Sequence, residues 1–305
     1  MSVAVDGVLR ALRRRFDIAW HNRRIGGVER TRPLAATRSG LMYLSMVCHR
    51  DARACLVALK SVAAQLGAGS YTLIDDGTLT ARDRDLLARH LGARLLRAGD
   101  IDTEGCPRGG TWERLLTALD LTRGDYVVQV DADVVALGPL PEVAAAVAAN
   151  TAFTLGGEAT ARLTSAADAA ASAMRAGHDH VQWDAERLLA DLPGGGGLRY
   201  VRGCSGFAGF PRGLDGRARA CALSGFMRSR LGRRWCDWGS EQVASNFVVA
   251  NSGDPLLLPW PRYAGHDGGP VPADAALVHF MGVRRYAGGA FTAASRRAIA
   301  SLLRH

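Results

Sequence analysis

This sequence predicts an α/β fold with a mostly parallel sheet flanked by helices, on three observations. From Leu41 onward, short apolar runs alternate with helical patterns, as strands joined by crossover helices do. Two of the runs end in acids, at Ile74-Asp75-Asp76-Gly77 and at Val130-Asp131-Ala132-Asp133. Ligands of parallel sheets sit beyond the carboxyl ends of the strands, where such acids have a use. The chain has 305 residues, 48% hydrophobic and 22% charged, enough for one domain with a large core.

The elements follow in order. LMYLSMV (41–47) reads as a buried strand. DARACLVALKSVAAQL (51–66) reads as a helix with Asp51 as its N-cap. YTLI (71–74) is a strand, and ARDRDLLARHLG (81–92) a helix closed by Gly92. ARLL (93–96), TWERLLTALDL (111–121) and DYVVQV (125–130) continue as strand, helix and strand. AFTLGG (152–157) is a strand, and 158–180 reads either as helix or as a flap. Gly194 to Gly197 form a flexible loop. LRYVRGCSGFAGF (198–210) is a strand with a glycine-rich bend, and GSEQVASNFVVAN (239–251) a helix. ALVHFMG (276–282) is a late strand and SRRAIASLLRH (295–305) the closing helix.

Residues 1–40 stand apart as a basic segment before a domain spanning 41–305. Leu9, Leu12, Phe16 and Trp20 share one helical face, with Arg10, Arg13 and Arg14 around the other side. Such a helix lies on an anionic membrane as a peripheral contact through 1–20, packs on the domain, or frays as a tail. No apolar run approaches the ~20 residues of a membrane span. The N-terminus lacks the apolar core of a signal peptide, so a cytoplasmic location is expected.

The net charge is +9, and Lys60 is the only lysine. An arginine excess with abundant Ala and Gly reads as compositional bias, so no nucleic-acid partner is expected. The balance suits a phosphate-bearing ligand or an anionic membrane surface. The six cysteines form no CxxC pair and no zinc spacing, and read as small buried thiols.

Asp83-Arg84-Asp85 and Asp100-Ile101-Asp102 read as solvated surface acids. Asp131 and Asp133 differ, because a buried strand delivers them. Residues i and i+2 of a strand point the same way, and two like charges held together are costly without a cation. A hard divalent ion with oxygen ligands resolves the conflict. The other solution is a loop acid pair capped by backbone N–H groups.

TWERLLTALDLTRGDYVVQVDADVVALGPLPEV (111–143) resembles the central stretch of GT-A glycosyltransferases, especially family 8. There an arginine-bearing helix leads into a strand, the D-x-D and a turn into a helix. Arg114 matches the arginine, which in the family contacts the nucleotide-sugar. Late in the chain, His279-Phe280-Met281-Gly282-Val283-Arg284-Arg285 resembles the family's H-x-x-G-x-x-K. The resemblance implies His279 as third ligand of a manganese ion beside Asp131 and Asp133, with Arg285 on the diphosphate and Gly282 in the binding turn. Arg285 replaces a lysine, and Tyr286-Ala287 replaces a Pro-Trp pair. Glu241-Gln242-Val243-Ala244-Ser245-Asn246 resembles a D-Q-x-x-x-N helix start and implies Gln242 beneath the reacting sugar carbon. Cys204-Ser205-Gly206 stands where the family has N-S-G or N-A-G. YTLIDDGTLT resembles the D-D-G-S motif of family 2 enzymes and implies Asp76 as a uracil contact. His49 falls where both families contact the nucleotide.

The resemblance implies a GT-A fold with a nucleotide-sugar-binding half (41–155) and an acceptor half (156–305). It implies a metal-dependent transferase, using Mn²⁺ or Mg²⁺, that moves a sugar from a nucleotide-diphosphate sugar, with UDP as the expected carrier. The acceptor would be a glycan or glycolipid, of a bacterial cell surface, and the outcome retention. An inverting enzyme would need a general base, for which Glu241 and Asp237 are candidates. Trp235, Trp238 and Trp260 either stack on a sugar acceptor or pack the core. Three alternatives remain open at this point, one of them a degenerate transferase that binds nucleotide without turnover, which Cys204 in place of the family's polar residue allows. A sugar-1-phosphate nucleotidyltransferase shares the sheet, but LSMVCHRDARAC (44–55) lacks its glycine-rich basic signature. A non-catalytic basic protein that binds membrane or nucleic-acid surfaces leaves the strand-end acids unexplained.

Overall fold

A computed structural model describes residues 2–266, 268–282 and 285–304. After helix α1 (Ser2–Arg24) come β1 (Leu41–Val47), α2 (Ala52–Leu66), β2 (Ser70–Asp75), α3 (Ala81–Leu91), β3 (Arg94–Arg97), α4 (Trp112–Leu121) and β4 (Tyr126–Val130). Then follow β5 (Val134–Ala136), α5 (Pro141–Ala148), β6 (Phe153–Leu155), β7 (Leu163–Ser165), α6 (Ala166–Arg175), α7 (Val181–Arg187), β8 (Arg199–Val201) and β9 (Cys204–Phe210). The chain ends with α8 (Gly216–Leu231), α9 (Ser240–Ala250), β10 (Leu256–Leu258), β11 (Tyr263–His266), β12 (Leu277–Phe280) and α10 (Ala290–Leu302).

The main sheet has seven strands in the order β10-β6-β9-β4-β1-β2-β3. β1 pairs parallel with β2 and β4, β2 with β3, and β6 with β10. Only β9 runs against its neighbours β4 and β6. The sheet is buried on both faces, which is why its strands read as unbroken apolar runs. Leu41, Tyr43, Tyr126, Val128 and Val130 point to one apolar cluster, and Met42, Leu44 and Val127 to another on the opposite face.

Two antiparallel pairings build the site. Because β9 runs against β4, the start of β9 lies where β4 ends: Val130 faces Phe207, and Asp131 N–H donates to Gly206 O at 2.8 Å. Likewise β12 runs against β5, so His279 faces Val134 and Phe280 N–H donates to Asp133 O at 2.9 Å. Residues far apart in sequence thereby meet at the carboxyl end of β4.

Some local expectations need correction. Asp51 precedes α2, but its carboxylate makes no cap bond, because three stronger partners at the site hold it. Residues 163–175 form both a strand and a helix, capped by the Ser165 side chain on Asp168 N–H. The glycine-rich bend splits 198–210 into β8 and β9. The closing helix begins earlier than expected, at Ala290. Gly92 caps α3 in the left-handed conformation, as the sequence implied. Ile18 packs on the core and His21, Ile25 and Val28 are buried, so the N-terminal segment joins the body before helix α1 ends.

Candidate active site

The loop after β4 places Asp131 half-buried and Asp133 buried. His279 Nε2 lies 3.0 Å from Asp133 Oδ1 and 3.8 Å from Asp131 Oδ2. Ligand atoms from the three side chains all fall within 4.8 Å of one another, the one such group among the described residues. Two carboxylates and one imidazole form an ordinary donor set for a divalent cation, so the residues present fit a bound metal.

Three cations already balance the two acids. Arg114 Nη1 donates to Asp131 Oδ1. Arg285 Nη1 donates to Asp133 Oδ2 at 2.6 Å, and its Nη2 to Asp51 Oδ2 at 2.7 Å. His279 supplies the third. Burial by itself would raise the Asp133 carboxyl, but His279 and Arg285 reverse this and hold it below the ordinary carboxylate range. Burial would depress the His279 imidazole, but Cys204 and Asp133 outweigh it and push the group up to about 10. The protein thus meets the cost of paired buried acids with fixed guanidinium groups, which a metal and its ligand would relieve.

Further hydrogen bonds hold these groups in place. Glu241, buried at the start of α9, accepts from Ser205 Oγ at 3.0 Å, from Thr111 Oγ1 at 3.0 Å and from Arg114 Nη2 at 3.3 Å. Trp112 Nε1–H donates to Ser240 Oγ at 2.9 Å and ties α4 to α9. Tyr286 O–H donates to Asp51 Oδ1 at 2.9 Å, and Asp51 in turn holds Arg285. On its far side His279 Nδ1 lies 3.1 Å from Cys204 Sγ. Its ring also lies flat on Gly206: a Cβ there would sit 2.2 Å from His279 Cε1. Only glycine fits beneath the imidazole.

These groups line a cleft of about 540 Å³. It gathers Arg114, Asp131, Asp133, Glu241, Gln242, His279, Gly282 and Arg285 from the sequence expectations. Val283 and Arg284, inside the late motif, lie outside the described residues. His49 and Asp76 are not in its lining. His49 borders an adjoining hollow of about 260 Å³, with Nδ1 2.6 Å from Asp83 Oδ2. Asp76 is exposed and accepts from Thr78 Oγ1 at 2.6 Å. Arg50 borders both cavities. Of the tryptophans, Trp235 is buried edge-on to Trp112, Trp260 is exposed outside the cleft, and Trp238 stands 71% exposed at the cleft wall. Asp237 pairs with Arg234.

Sequence reasoning missed Thr111, Ser205 and Arg50 as cleft residues, and Asp51 and Tyr286 as supports. Ser205 and Tyr286 lay inside stretches already singled out. Thr111 opens the 111–143 stretch and Asp51 reads as a helix cap, but neither of these nor Arg50 carries a local sign of the cleft, since only tertiary pairing brings them here.

No protein-family model matches the chain, and no curated protein matches it. Solved structures do. The galactosyltransferase LgtC in complex with donor and acceptor sugar analogues superposes with a TM-score of 0.44 at 13% identity, covering 83% of this chain and 95% of that one. Core-mannan synthase A from Aspergillus fumigatus, in its Mn/GDP form, gives 0.41 at 10% identity over 74% and 75%. The mannosyltransferase Ktr4p from S. cerevisiae in complex with GDP gives 0.39 at 8% identity over 76% of each chain. These structural neighbours are glycosyltransferases of the GT-A fold.

Proposed function

We propose that the chain is a metal-dependent glycosyltransferase that moves a sugar from a nucleotide-diphosphate sugar, taken as a UDP-sugar, to a glycan or glycolipid acceptor with retention. One observation carries this. Asp131, Asp133 and His279 converge at a sheet end between two arginines, in a cleft of about 540 Å³. A divalent cation, manganese or magnesium, held by those three side chains would act as a Lewis acid on the diphosphate leaving group.

The chain's own residues supply the rest. Arg114 and Arg285 offer fixed positive charge to the departing diphosphate, and Arg's planar fork suits paired phosphate oxygens. Glu241 and Ser205 hold the Arg114 guanidinium, and Asp51 holds Arg285, so neither must reorganise during reaction. The Gly282 turn gives the diphosphate close access to backbone. Gln242 lines the cleft and is assigned to the reacting sugar. His49 and Asp76, with Arg50 between the two cavities, are assigned to the nucleoside. Retention is favoured because the candidate bases are committed: Glu241 to Arg114, Ser205 and Thr111, and Asp237 to Arg234. The basic N-terminal helix is assigned to peripheral contact at the inner face of a membrane.

Thermal unfolding with UDP, GDP, ADP and CMP, each with and without Mn²⁺, tests the reading. A ligand at ~100 times its dissociation constant adds roughly 2.7 kcal/mol of stability. Stabilisation by one nucleoside diphosphate only when metal is present is the expected result. No shift with any nucleotide overturns it.

A further inference from the structure

Helix α1 has two faces with different partners. Leu9, Leu12, Phe16 and Trp20 form one stripe, and they are 58, 55, 68 and 42% exposed. Arg14, Ile18, His21 and, just past the helix end, Ile25 lie roughly half a turn away. That second stripe faces the body. Ile18 packs on the core, and Ile25 is wholly buried. His21 stacks on Phe291, with Nδ1 2.8 Å from Thr292 Oγ1. Arg14, on the same stripe one turn up, reaches the substrate cleft alongside Arg50. The body therefore holds α1 with its apolar stripe turned outward and an arginine turned into the site.

Four large apolar side chains in line on an exposed helix face mark a docking surface. Charge selects the occupant. Arg13, Arg15, Arg23 and Arg24 are exposed around the stripe, and Arg24 lies 5.7 Å from the Trp20 ring centroid. Asp17 is the one acid from Leu9 to the helix end. A second copy would bring the same arginines together and be repelled. An anionic bilayer satisfies both features: the apolar stripe sinks below the headgroups while arginine stems snorkel to the phosphates.

We propose that α1 docks on an anionic bilayer through Leu9, Leu12, Phe16 and Trp20, and that Arg14 couples this docking to ligand binding in the cleft. The coupling half rests on the nucleotide-sugar reading above; the docking half does not. With the stripe in lipid, the Arg14 side of the cleft lies about one helix diameter, ~10 Å, from the bilayer surface. That spacing suits an acceptor sugar carried on a lipid, and narrows the acceptor class to glycolipid. Coupling between two sites is reciprocal, so vesicles tighten nucleotide binding by the factor that nucleotide tightens vesicle binding.

The test is sedimentation of the full chain with phosphatidylcholine vesicles, with and without phosphatidylglycerol. Binding is expected only to the anionic vesicles, weakening with salt and lost in Phe16→Glu and Trp20→Glu. Equal recovery with both vesicle types, or concentration-dependent dimerisation through the stripe, overturns the docking. UDP affinity with Mn²⁺ is then measured with and without the anionic vesicles. A severalfold tightening is expected in the wild type and not in Arg14→Ala, which still sediments. Unchanged UDP affinity beside intact vesicle binding overturns the coupling alone. Absence of nucleotide binding under either condition overturns the coupling together with the transferase reading, while the vesicle result still decides the docking.

Discussion

Two strands of this sheet end in paired acids, and the chain uses the pairs differently. At the end of β2, Asp75 and Asp76 are adjacent, so their side chains leave the strand on opposite sides. Asp75 turns inward, where Gly77 N–H donates to it at 2.8 Å, Leu79 N–H at 3.2 Å and Arg84 Nη2 at 2.8 Å. Asp76 turns to solvent and engages Thr78. One acid closes a turn and the other is free to face a ligand. At the end of β4 the acids are two residues apart and converge, and two antiparallel neighbours bring Ser205 and His279 to them. The spacing of the acids and the direction of the neighbouring strands, rather than acidity itself, turn a strand end into a cation site.

The largest expected effect falls on the β4 end. Asp133→Asn keeps the shape and removes the charge that Arg285 and His279 share. Metal-dependent nucleotide binding should fall by roughly 100-fold or more, measured by titration calorimetry with Mn²⁺ and UDP. If the variant still binds nucleotide with unchanged metal dependence, the two strand ends are equivalent and the contrast collapses.

Gly206→Ala breaks the same end without touching a ligand. The added Cβ would collide with the His279 ring, which must turn away. Mn²⁺ affinity is expected to fall on the order of 10- to 100-fold, as for other losses of ligand orientation. A manganese electron-spin titration reads this directly. Normal affinity would mean that His279 is no ligand.

The β4 end should also respond to pH through His279. In the metal-free protein His279 is held protonated, with its pKa pushed up to about 10. A metal must displace that proton, so Mn²⁺ affinity rises with pH, by up to about tenfold per unit below the raised pKa. The linkage to stability has the opposite sign. A raised folded-state pKa contributes stability that is fully present below the unfolded value of about 6.5, and it is lost as pH rises through about 10. Metal affinity flat between neutral and mildly alkaline pH would remove His279 from the ligand set.

Much of this contrast was legible in sequence, for identifiable reasons. The sequence places β1 at 41–47 and it forms at Leu41–Val47, because a strand buried on both faces leaves an unbroken apolar run. Asp131, Asp133, Arg114, His279 and Arg285 each lay in a motif with recognisable spacing. α8 was missed because GRARACALSGFMRSRL scatters its arginines and small residues without an apolar stripe. Asp51 looked like a helix cap, and nothing local says that Arg285, far along the chain, takes its carboxylate. Arg14 reaches the cleft only because Ile18, His21 and Ile25 fix the rotation of α1.

The smallest effect sharpens the comparison from the β2 side. Asp76 is exposed, and its ties are local ones to Thr78, so Asp76→Asn should leave folding within about 0.5 kcal/mol of wild type. If the carboxylate meets the base of the nucleotide, the change removes one hydrogen bond worth about 1 kcal/mol, a loss of roughly fivefold in UDP affinity. The metal dependence should survive intact, because no residue of the β2 end touches the cation group. A variant that weakens UDP and also flattens its response to Mn²⁺ would show that the two ends act as one site. A variant with full affinity would reduce the β2 acids to turn chemistry, and leave Arg50 and His49 to contact the nucleoside.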